Sequence, residues 1–309
     1  MDVSVVIPTL NSRERLAACL DALAGEDPTE TIVVNGPSAD GTSGMCRERD
    51  DVDVLVELDD RNVNVARNAG LDRSTADVVA FLNHELAVED GWLDAIRDDL
   101  AAVNTDVVTG PTHRQLRAGW TTEEEERREI AGRTVTYVNP GNVAFTRESL
   151  AAVDGFDEYL TVGGARDVAH RLAANDFEVT WLPGMGVSRE TETEGVKPSV
   201  VADGGDGRDW GWRYRSLAYR LVKNYGVRPT VAYRLAKHAG SDTVGSLRNV
   251  SSGETAVSRW AGNGRDVVRG MLQGVKDGAL ARVRDRTRRR NTNGWSTRSD
   301  RAVAVHDRR

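Results

Sequence analysis

The 309-residue chain has the composition of a globular protein, with 39% hydrophobic residues and 30 glycines. A chain of this length holds one large domain or two modest ones, at about 150 residues each. Its two cysteines do not form a CxxC motif, which argues against a disulfide scaffold or a structural zinc site. No stretch approaches the roughly 20 apolar residues of a membrane span, and the first residues do not read as a signal peptide. We therefore expect a soluble, cytoplasmic protein, or one that sits on a membrane without crossing it.

Charge is divided unevenly along the chain. Residues 1–200 hold 18 basic and 38 acidic residues, a net charge of −20, whereas residues 201–309 hold 23 basic and 10 acidic residues, a net charge of +13. Only four of the 41 basic residues are lysine, and arginine is the better partner for phosphates. The sequence thus predicts an acidic body that carries a basic C-terminal third.

Strand-like apolar runs alternate with helical patterns over residues 1–110, which indicates an α/β domain with a mostly parallel sheet. The predicted strands are Val3–Ile7, Thr31–Val34, Val52–Leu58 and Val78–Leu82, and helices follow the first and fourth of them. Residues 111–200 are mixed, with a helix-like acidic run at Thr121–Glu129, a helix near Asp167–Ala174 and a strand at Phe177–Trp181.

The composition changes at a glycine- and aspartate-rich stretch, Ala202–Asp209, which we interpret as a linker. Two basic helical patterns follow, at about 210–238 and 260–286, and we expect the tail after Arg286 to be poorly ordered and flexible. The domains predicted are therefore residues 1–200, with halves 1–110 and 111–200, and a helical region over 201–309.

Polar residues follow three of the predicted strands, where an open α/β sheet binds its ligands. They are Pro8-Thr9-Leu10-Asn11, Asn35-Gly36-Pro37-Ser38 and Asn83-His84-Glu85. The sequence contains neither a GxxxxGK[ST] loop nor a GxGxxG motif, so it indicates neither a Walker ATPase nor a dinucleotide-binding domain.

Seven segments in this order resemble the successive blocks of family 2 glycosyltransferases with the GT-A fold, over about residues 3–190. They are VSVVIPTLNSRERLAACLDAL, ETIVVNGPSADGT, NVNVARNAGL, VVAFLNHELAVEDGWL, NPGNVAFTRESLAAVDGFDEYL, RDVAHRL and FEVTWLPGMGVSRE. The C-terminal RDWGWRYRSLAYRLVKNYG more loosely resembles a subgroup from halophilic archaea whose members build lipid-linked or surface glycans. The resemblance implies an inverting transfer of sugar from a nucleotide-sugar donor, with the donor half first and the acceptor half second.

The resemblance also implies which residues bind the donor. They are Pro8, Thr9, Asn11, Asn35, Arg67 and Asn83. Asn35 stands where the family usually has an aspartate that pairs with the nucleotide base, and it is otherwise a turn residue of Asn-Gly-Pro. Arg67 matches a family arginine near the donor, and the alternative for it is a solvated charge on a helix.

The metal motif departs from the family pattern, because the Asp-x-Asp of the family falls on Asn83-His84-Glu85. Glu85 remains a candidate ligand for Mn²⁺ or Mg²⁺, and His84 is either a ligand suited to manganese or a polar loop residue. The later family histidine is replaced by Ser188 or Arg189, so a metal-independent mechanism, with arginines compensating the diphosphate, stays open.

The general base is also displaced from the family pattern. Asp167 is our candidate, and the alternative for it is an aspartate at a helix N-terminus that the dipole favours. Asp157 and Glu158 are the fallback candidates. We interpret Glu123–Glu126 as a solvated helix face.

Six aromatic residues interleave with basic residues between positions 210 and 233, which favours contact with an anionic membrane surface. The alternative is that these aromatics pack on the catalytic domain. Nucleic acid is a poor partner, because the acidic body repels a polyanion.

We expect an enzyme that transfers a sugar from a UDP-linked nucleotide sugar to a polyisoprenyl-phosphate-linked or other glycan. We expect it to act at the cytoplasmic face of the cell membrane, as in protein N-glycosylation. The alternative is a catalytically degenerate GT-A domain that serves as a nucleotide-binding or scaffold subunit of a glycan-assembly complex.

Overall fold

The computed structural model describes residues 1–101, 105–116, 119–189, 210–238 and 257–309. The chain separates into two compact units. The first comprises Met1–Arg128, Val135–Gly205 and Asn293–Arg309, and the second comprises Glu129–Thr134 and Asp206–Thr292. The sequence placed its domain boundary at residue 200, which lies outside the described residues, and it assigned the last residues to the C-terminal region rather than to the first unit.

Strands and helices alternate along the first hundred residues, as predicted. The elements are β1 (Val3–Thr9), α1 (Arg13–Leu23), β2 (Glu30–Asn35), α2 (Thr42–Glu48), β3 (Val54–Glu57), α3 (Val63–Arg73), β4 (Val78–Leu82), β5 (Ala87–Val88) and α4 (Trp92–Leu100). Strands β1, β2 and β4 are buried along their whole length, which accounts for their nearly continuous apolar sequences.

The second half of the chain adds shorter strands and the longer helices. The strands are β6 (Val107–Thr109), β7 (Thr112–Leu116), β8 (Gly119–Thr122), β9 (Arg127–Ile130), β10 (Arg133–Thr136), β11 (Asn142–Thr146), β12 (Val179–Trp181), β13 (Val187–Arg189) and β14 (Ala304–Asp307). The helices are α5 (Arg147–Val153), α6 (Gly164–Ala174), α7 (Trp210–Tyr225), α8 (229–238) and α9 (Val257–Arg284).

The first unit is built on a sheet with the order β12-β6-β11-β4-β1-β2-β3-β14. Strands β3, β2, β1 and β4 are parallel, whereas β11 and β14 run antiparallel to their neighbours. The chain order reverses between β1 and β4, which is where an open α/β sheet leaves a crevice for a ligand. Gly70 lets α3 approach β1 closely, since a Cβ there would lie 2.3 Å from a methyl group of Val6.

A second, four-stranded sheet has the order β5-β13-β7-β8. Its strands β5 and β13 pair antiparallel, with Ser188 opposite Ala87. Because β5 begins two residues after Glu85, this register brings the end of β13 beside the loop that follows β4. The small sheet therefore contributes to the same edge of the protein as the crevice.

The acidic run that the sequence suggested as helical is different in the structure. Thr121 and Thr122 belong to β8, where they pair with Arg114 and His113 of β7, and residues 123–126 connect β8 to β9. The β-branched threonines favour a strand, and cross-strand pairing decides against the weak helical preference of the glutamates. The prediction of a helix at Thr121–Glu129 was wrong.

In the second unit, α7 packs against α9 through a glycine stripe on α9. A Cβ on Gly270, Gly274 or Gly278 would lie 2.1 to 2.6 Å from a backbone carbonyl oxygen of α7, so only glycine permits this approach. Tyr214 and Tyr219 of α7 are buried. Because these glycines are four residues apart, they lie on one face of α9, and that face packs against α7.

The tail expected to be flexible after Arg286 is instead part of the fold. Strand β14 pairs antiparallel with β3 at the edge of the large sheet, with Val305 opposite Val56. Before it, Arg301 is buried and its guanidinium contacts the carboxylates of Glu158 and Asp72. An arginine-rich tail has few apolar residues, so its order comes from backbone pairing and from the acidic body rather than from a hydrophobic pattern.

Replacing Arg301 by alanine should lower the free energy of unfolding by about 3 kcal/mol, because two carboxylates lose their buried partner. Arg298→Ala is the matched control, since its side chain is 40% exposed although it also contacts Glu158. The control should cost less than about 1 kcal/mol. Denaturant unfolding of both variants measures the difference, and equal losses would contradict the anchoring role of Arg301.

Candidate functional site

The loops after β1 and β4 meet where the strand order reverses. Here Nδ1 of His84 lies 2.9 Å from the carbonyl oxygen of Pro8, and the His84 side chain is completely buried. Burial, reinforced by the charges of Arg15 and Arg189, lowers the pKa of His84 to about 4. A neutral imidazole must carry its proton on Nδ1 to donate to this carbonyl, so His84 joins the two strand ends at neutral pH.

The loops after β1 and β2 are held together by side-chain hydrogen bonds. Asn11, which adopts a left-handed backbone conformation (φ 49°), accepts from the Ala39 N–H at 2.8 Å and donates its own N–H to Ser38 Oγ at 2.8 Å. Asn11, which the sequence predicted to bind the nucleotide sugar, therefore joins the loops after β1 and β2 into one surface.

Asn35 is buried at the end of β2, and its carboxamide organises the loop that follows. Its Nδ2 donates to Ser43 Oγ at 2.8 Å, and its Oδ1 accepts from Ser38 Oγ at 2.7 Å. These contacts fit the alternative of a turn residue. A carboxamide still has one N–H and one lone pair beyond these two bonds, so recognition of a base stays a prediction.

Thr9 ends β1 beside these loops, and its hydroxyl group lacks a hydrogen-bond partner among the described residues. Its Oγ1 is buried, and no group in the described part of the chain forms a hydrogen bond with it. Buried hydroxyl groups are normally bonded, because an unmet one costs free energy. An unsatisfied hydroxyl at a strand end in the crevice is what a polar ligand would complete.

Arg67 is buried on α3 and is not a solvated helix charge. Its guanidinium donates to the carbonyl oxygen of Pro140 at 2.8 Å and to Asn64 Oδ1 at 3.1 Å, and it lies 5.0 Å from the ring centre of Phe156. These contacts hold the loop 139–141, whose Gly141 carbonyl accepts from the Asn83 N–H. Arg67 thus holds loop 139–141, which in turn accepts a hydrogen bond from the loop after β4.

Glu85 lies between two arginines. Its side chain is 1% exposed, one carboxylate oxygen contacts the guanidinium of Arg15, and the other contacts that of Arg189. Both arginine side chains are about one-quarter exposed. The sequence singled out Arg189 only as a replacement for a histidine, and it gave no signal for Arg15, which reads as an ordinary surface charge at a helix start.

The side chains of Asn83-His84-Glu85 do not fit a divalent cation. Both Glu85 oxygens contact guanidinium groups, His84 directs Nδ1 at Pro8, and Asn83 Oδ1 accepts from the Glu85 N–H at 3.0 Å. Within the described ranges, no three His, Cys, Asp or Glu side chains are grouped so that they could hold a metal. A cation at Glu85 would also face two positive charges.

Asp167 begins the buried face of α6 and pairs with an arginine on its own helix. Its Oδ2 lies 2.8 Å from Arg171 Nε, and neither side chain is exposed. Arg171 also donates to the carbonyl oxygens of Val153 and Gly155, so the pair ties α6 to the end of α5. These contacts favour a structural role, and the role of general base stays a prediction.

The two fallback candidates also have structural partners. Asp157 is buried and accepts from the Tyr159 N–H at 3.0 Å. Glu158 accepts from Asn68 Nδ2 at 2.8 Å and pairs with Arg298 and Arg301. Neither arrangement by itself indicates a catalytic carboxylate.

Comparison with known proteins agrees with this architecture. Residues 4–152 match the family model for glycosyl transferase family 2. The chain is 27% identical over 193 residues to glycosyltransferase AglE of Haloferax volcanii, covering 58% of this chain and 64% of AglE. It is 27% identical over 211 residues to pre-mycofactocin glycosyltransferase of Mycobacterium tuberculosis, covering 62% of this chain and 43% of that protein. The chain spans less than two-thirds of the length of either relative.

Two solved structures share the fold. Residues 1–349 of S. aureus TarS in complex with UDP-GlcNAc align with a TM-score of 0.62 at 16% identity, over 92% of this chain and 85% of that one. Mannosyltransferase PcManGT from Pyrobaculum calidifontis, in complex with GDP-Man and Mn²⁺, aligns with a TM-score of 0.53 at 17% identity, over 92% and 88%. The predicted α/β GT-A fold is confirmed.

The low pKa of His84 should make stability depend on pH. Between the ordinary value of 6.5 and about 4, the unfolded chain binds a proton that the folded protein does not, so the free energy of unfolding falls as the pH drops through this window. His84→Asn cannot titrate, and its Nδ2 can still donate to Pro8. From pH 7 to pH 4 the wild type should lose about 3 kcal/mol more than this variant. If the free energies of unfolding of the wild type and of His84→Asn fell equally between pH 7 and pH 4, the low pKa of His84 would be contradicted.

Proposed function

Because residues 4–152 are a family 2 glycosyltransferase domain, we propose that this chain is an inverting glycosyltransferase that moves a sugar from a nucleotide sugar to a glycan acceptor. The observation that carries the proposal is the meeting of the loops after β1, β2 and β4 at the point where the strand order reverses. A nucleotide bound there lies across the carboxyl ends of the strands, as ligands of open α/β sheets do.

The donor we propose is UDP-linked. Asn35 offers a carboxamide at the end of β2 that can pair with a pyrimidine edge, and Thr9 Oγ1 offers a buried hydroxyl that lacks a partner within the described residues. The TarS fragment of similar fold holds UDP-GlcNAc, which supports a uridine donor, whereas the PcManGT complex holds GDP-Man and makes GDP the comparison nucleotide. Pro8, Asn11 and Asn83 shape the walls of the same crevice.

In the proposed reaction, the acceptor oxygen attacks the anomeric carbon and the bond from that carbon to the diphosphate breaks. The electron pair stays on the diphosphate, and a carboxylate takes the proton of the acceptor. Asp167 is the proposed base on the family resemblance. Its pairing with Arg171 in this structure makes that assignment the first to test.

The acceptor we propose is a membrane-bound glycolipid or growing glycan on a polyisoprenyl phosphate, reached at the cytoplasmic face of the cell membrane. Its support is the exposed face of α9 rather than the aromatics of α7, since three of those five aromatic residues are buried. Four large apolar side chains on α9 are exposed, namely Val268, Leu272, Leu280 and Val283. Exposed basic residues lie on the same face of the helix, namely Arg265, Arg269 and Lys276. Such a face suits an anionic bilayer surface.

Helix α9 suits the surface of a membrane and not its interior. Among the described residues, no helix combines the length and apolarity that crossing a bilayer requires. Association at the surface is therefore the form of membrane contact that we propose.

A second candidate is a degenerate GT-A domain that binds a nucleotide without turnover, as a scaffold subunit. The observation that favours it is the engagement of three of the four candidate carboxylates by arginine, namely Asp167, Glu85 and Glu158. Turnover distinguishes the two candidates.

Purified protein, given a panel of nucleotide sugars and a membrane extract as acceptor, should release nucleoside diphosphate. Asp167→Asn should lower kcat by about 100-fold or more, the range expected for loss of a general base, at unchanged nucleotide affinity. Asp176→Asn, on the exposed turn just after α6, is the matched control, and melting temperatures correct for unfolded protein. Stabilisation by UDP without turnover of any donor would favour the scaffold, and full activity of Asp167→Asn would place the base elsewhere.

The membrane proposal predicts that the protein co-sediments with phosphatidylglycerol vesicles and is released by high salt. The double substitution Val268→Asp and Leu272→Asp should lower the bound fraction at least about fivefold, since each change removes apolar area and adds repulsion. Val303→Asp is the matched control, because Val303 is as exposed but lies in the first unit. Equal binding by all three proteins would contradict the proposal.

A further inference from the structure

Three elements of the first unit bring Arg15, Glu85 and Arg189 together. Arg15 lies in the first turn of α1, which begins directly after the loop of β1. Glu85 lies three residues beyond β4, and Arg189 ends β13, whose register with β5 sets it beside that loop. The three residues thus come from the two sides of the strand-order reversal and from the small sheet.

The three side chains, two guanidinium groups and one carboxylate, by themselves sum to a charge of +1. Helix α1, with 11 residues, adds the partial positive charge of its N-terminus. The arginines remain about one-quarter exposed, whereas Glu85 is 1% exposed. The carboxylate is therefore the inner part of the cluster, and the cations form its solvent-facing part.

The exposed cations suit one ligand class, the phosphate groups of a nucleotide. A guanidinium has five N–H donors in a planar fork, so each arginine can keep its contact with Glu85 and still donate to a phosphate oxygen. Two arginines also carry the same total charge as one divalent cation. On the neighbouring strand end, the buried hydroxyl of Thr9 has no hydrogen-bond partner among the described residues.

We propose that Arg15 and Arg189 bind the diphosphate of the donor in place of a metal ion, and that Glu85 orients the two arginines. This inference rests on the function proposed above. When the bond between the anomeric carbon and the diphosphate breaks, its electron pair remains on the leaving phosphate oxygen, and the two guanidinium groups donate hydrogen bonds to the growing negative charge. Glu85 neither binds a metal nor receives a proton in this step.

The inference predicts nucleotide binding without a metal. In calorimetry with excess EDTA, wild-type protein should bind UDP or GDP with an affinity that added Mn²⁺ changes by less than about twofold. Arg15→Gln and Arg189→Gln should each weaken nucleoside diphosphate binding by about tenfold or more, the expected effect of one charged hydrogen bond. Binding of the uncharged nucleoside, uridine or guanosine, should not change. Arg97→Gln, on the outer helix α4, is the matched control.

Glu85 gives a test of opposite sign. If Glu85 were a metal ligand, Glu85→Gln would weaken nucleotide binding and abolish any response to Mn²⁺. If it orients two arginines, Glu85→Gln keeps an amide oxygen that accepts from a guanidinium and removes one negative charge beside the diphosphate, so nucleoside diphosphate affinity in EDTA should rise by about two- to tenfold. Melting temperatures without nucleotide confirm that each variant is folded.

The remaining outcomes separate this inference from the proposed function. Nucleotide binding that requires Mn²⁺ would overturn the inference and leave the glycosyltransferase proposal standing. Equal loss of nucleoside and nucleoside diphosphate binding in the arginine variants would also overturn it, because the arginines would then only support the pocket. If neither UDP nor GDP binds with or without Mn²⁺, the proposed function itself fails.

Discussion

The hydrogen bond between His84 and the Pro8 carbonyl holds the site together. It joins the ends of β1 and β4, between which the strand order reverses and an open sheet leaves a crevice. The bond requires a proton on Nδ1, and because burial lowers the pKa of His84 the imidazole at neutral pH is the neutral form with its proton on that nitrogen. Of the proposed donor-site residues, Pro8, Thr9 and Asn83 lie at this junction.

The charges near the junction explain how an acidic domain can accept an anionic ligand. The first 200 residues carry a net charge of −20, yet two arginines, Arg15 and Arg189, contact Glu85 beside the loop after β4. Local cations decide the potential at short range, because distant surface charges are screened within about 10 Å in salt. The family holds a metal through the carboxylates of its Asp-x-Asp motif, whereas in the proposed site the two arginines would repel a metal cation.

The basic C-terminal third divides into two parts with different roles. Residues 293–309 return to the first unit, where Arg301 and Arg298 pair with Glu158 and β14 completes the sheet edge. The second unit uses a glycine stripe on α9 to pack against α7, which leaves the opposite face of α9 apolar and basic. A net charge of +13 therefore describes neither part.

The sequence by itself determined the α/β class, the first four strands and the loops that carry the site, because burial of parallel strands leaves continuous apolar runs and polar residues at their ends. Tertiary structure alone decided the rest. Arg67, for which a solvated helix charge was the alternative, is buried, the Asp167–Arg171 pair is completely buried, and the β13 register brings Arg189 to Glu85. These outcomes depend on contacts between residues up to about a hundred positions apart, and a local pattern holds no record of such contacts.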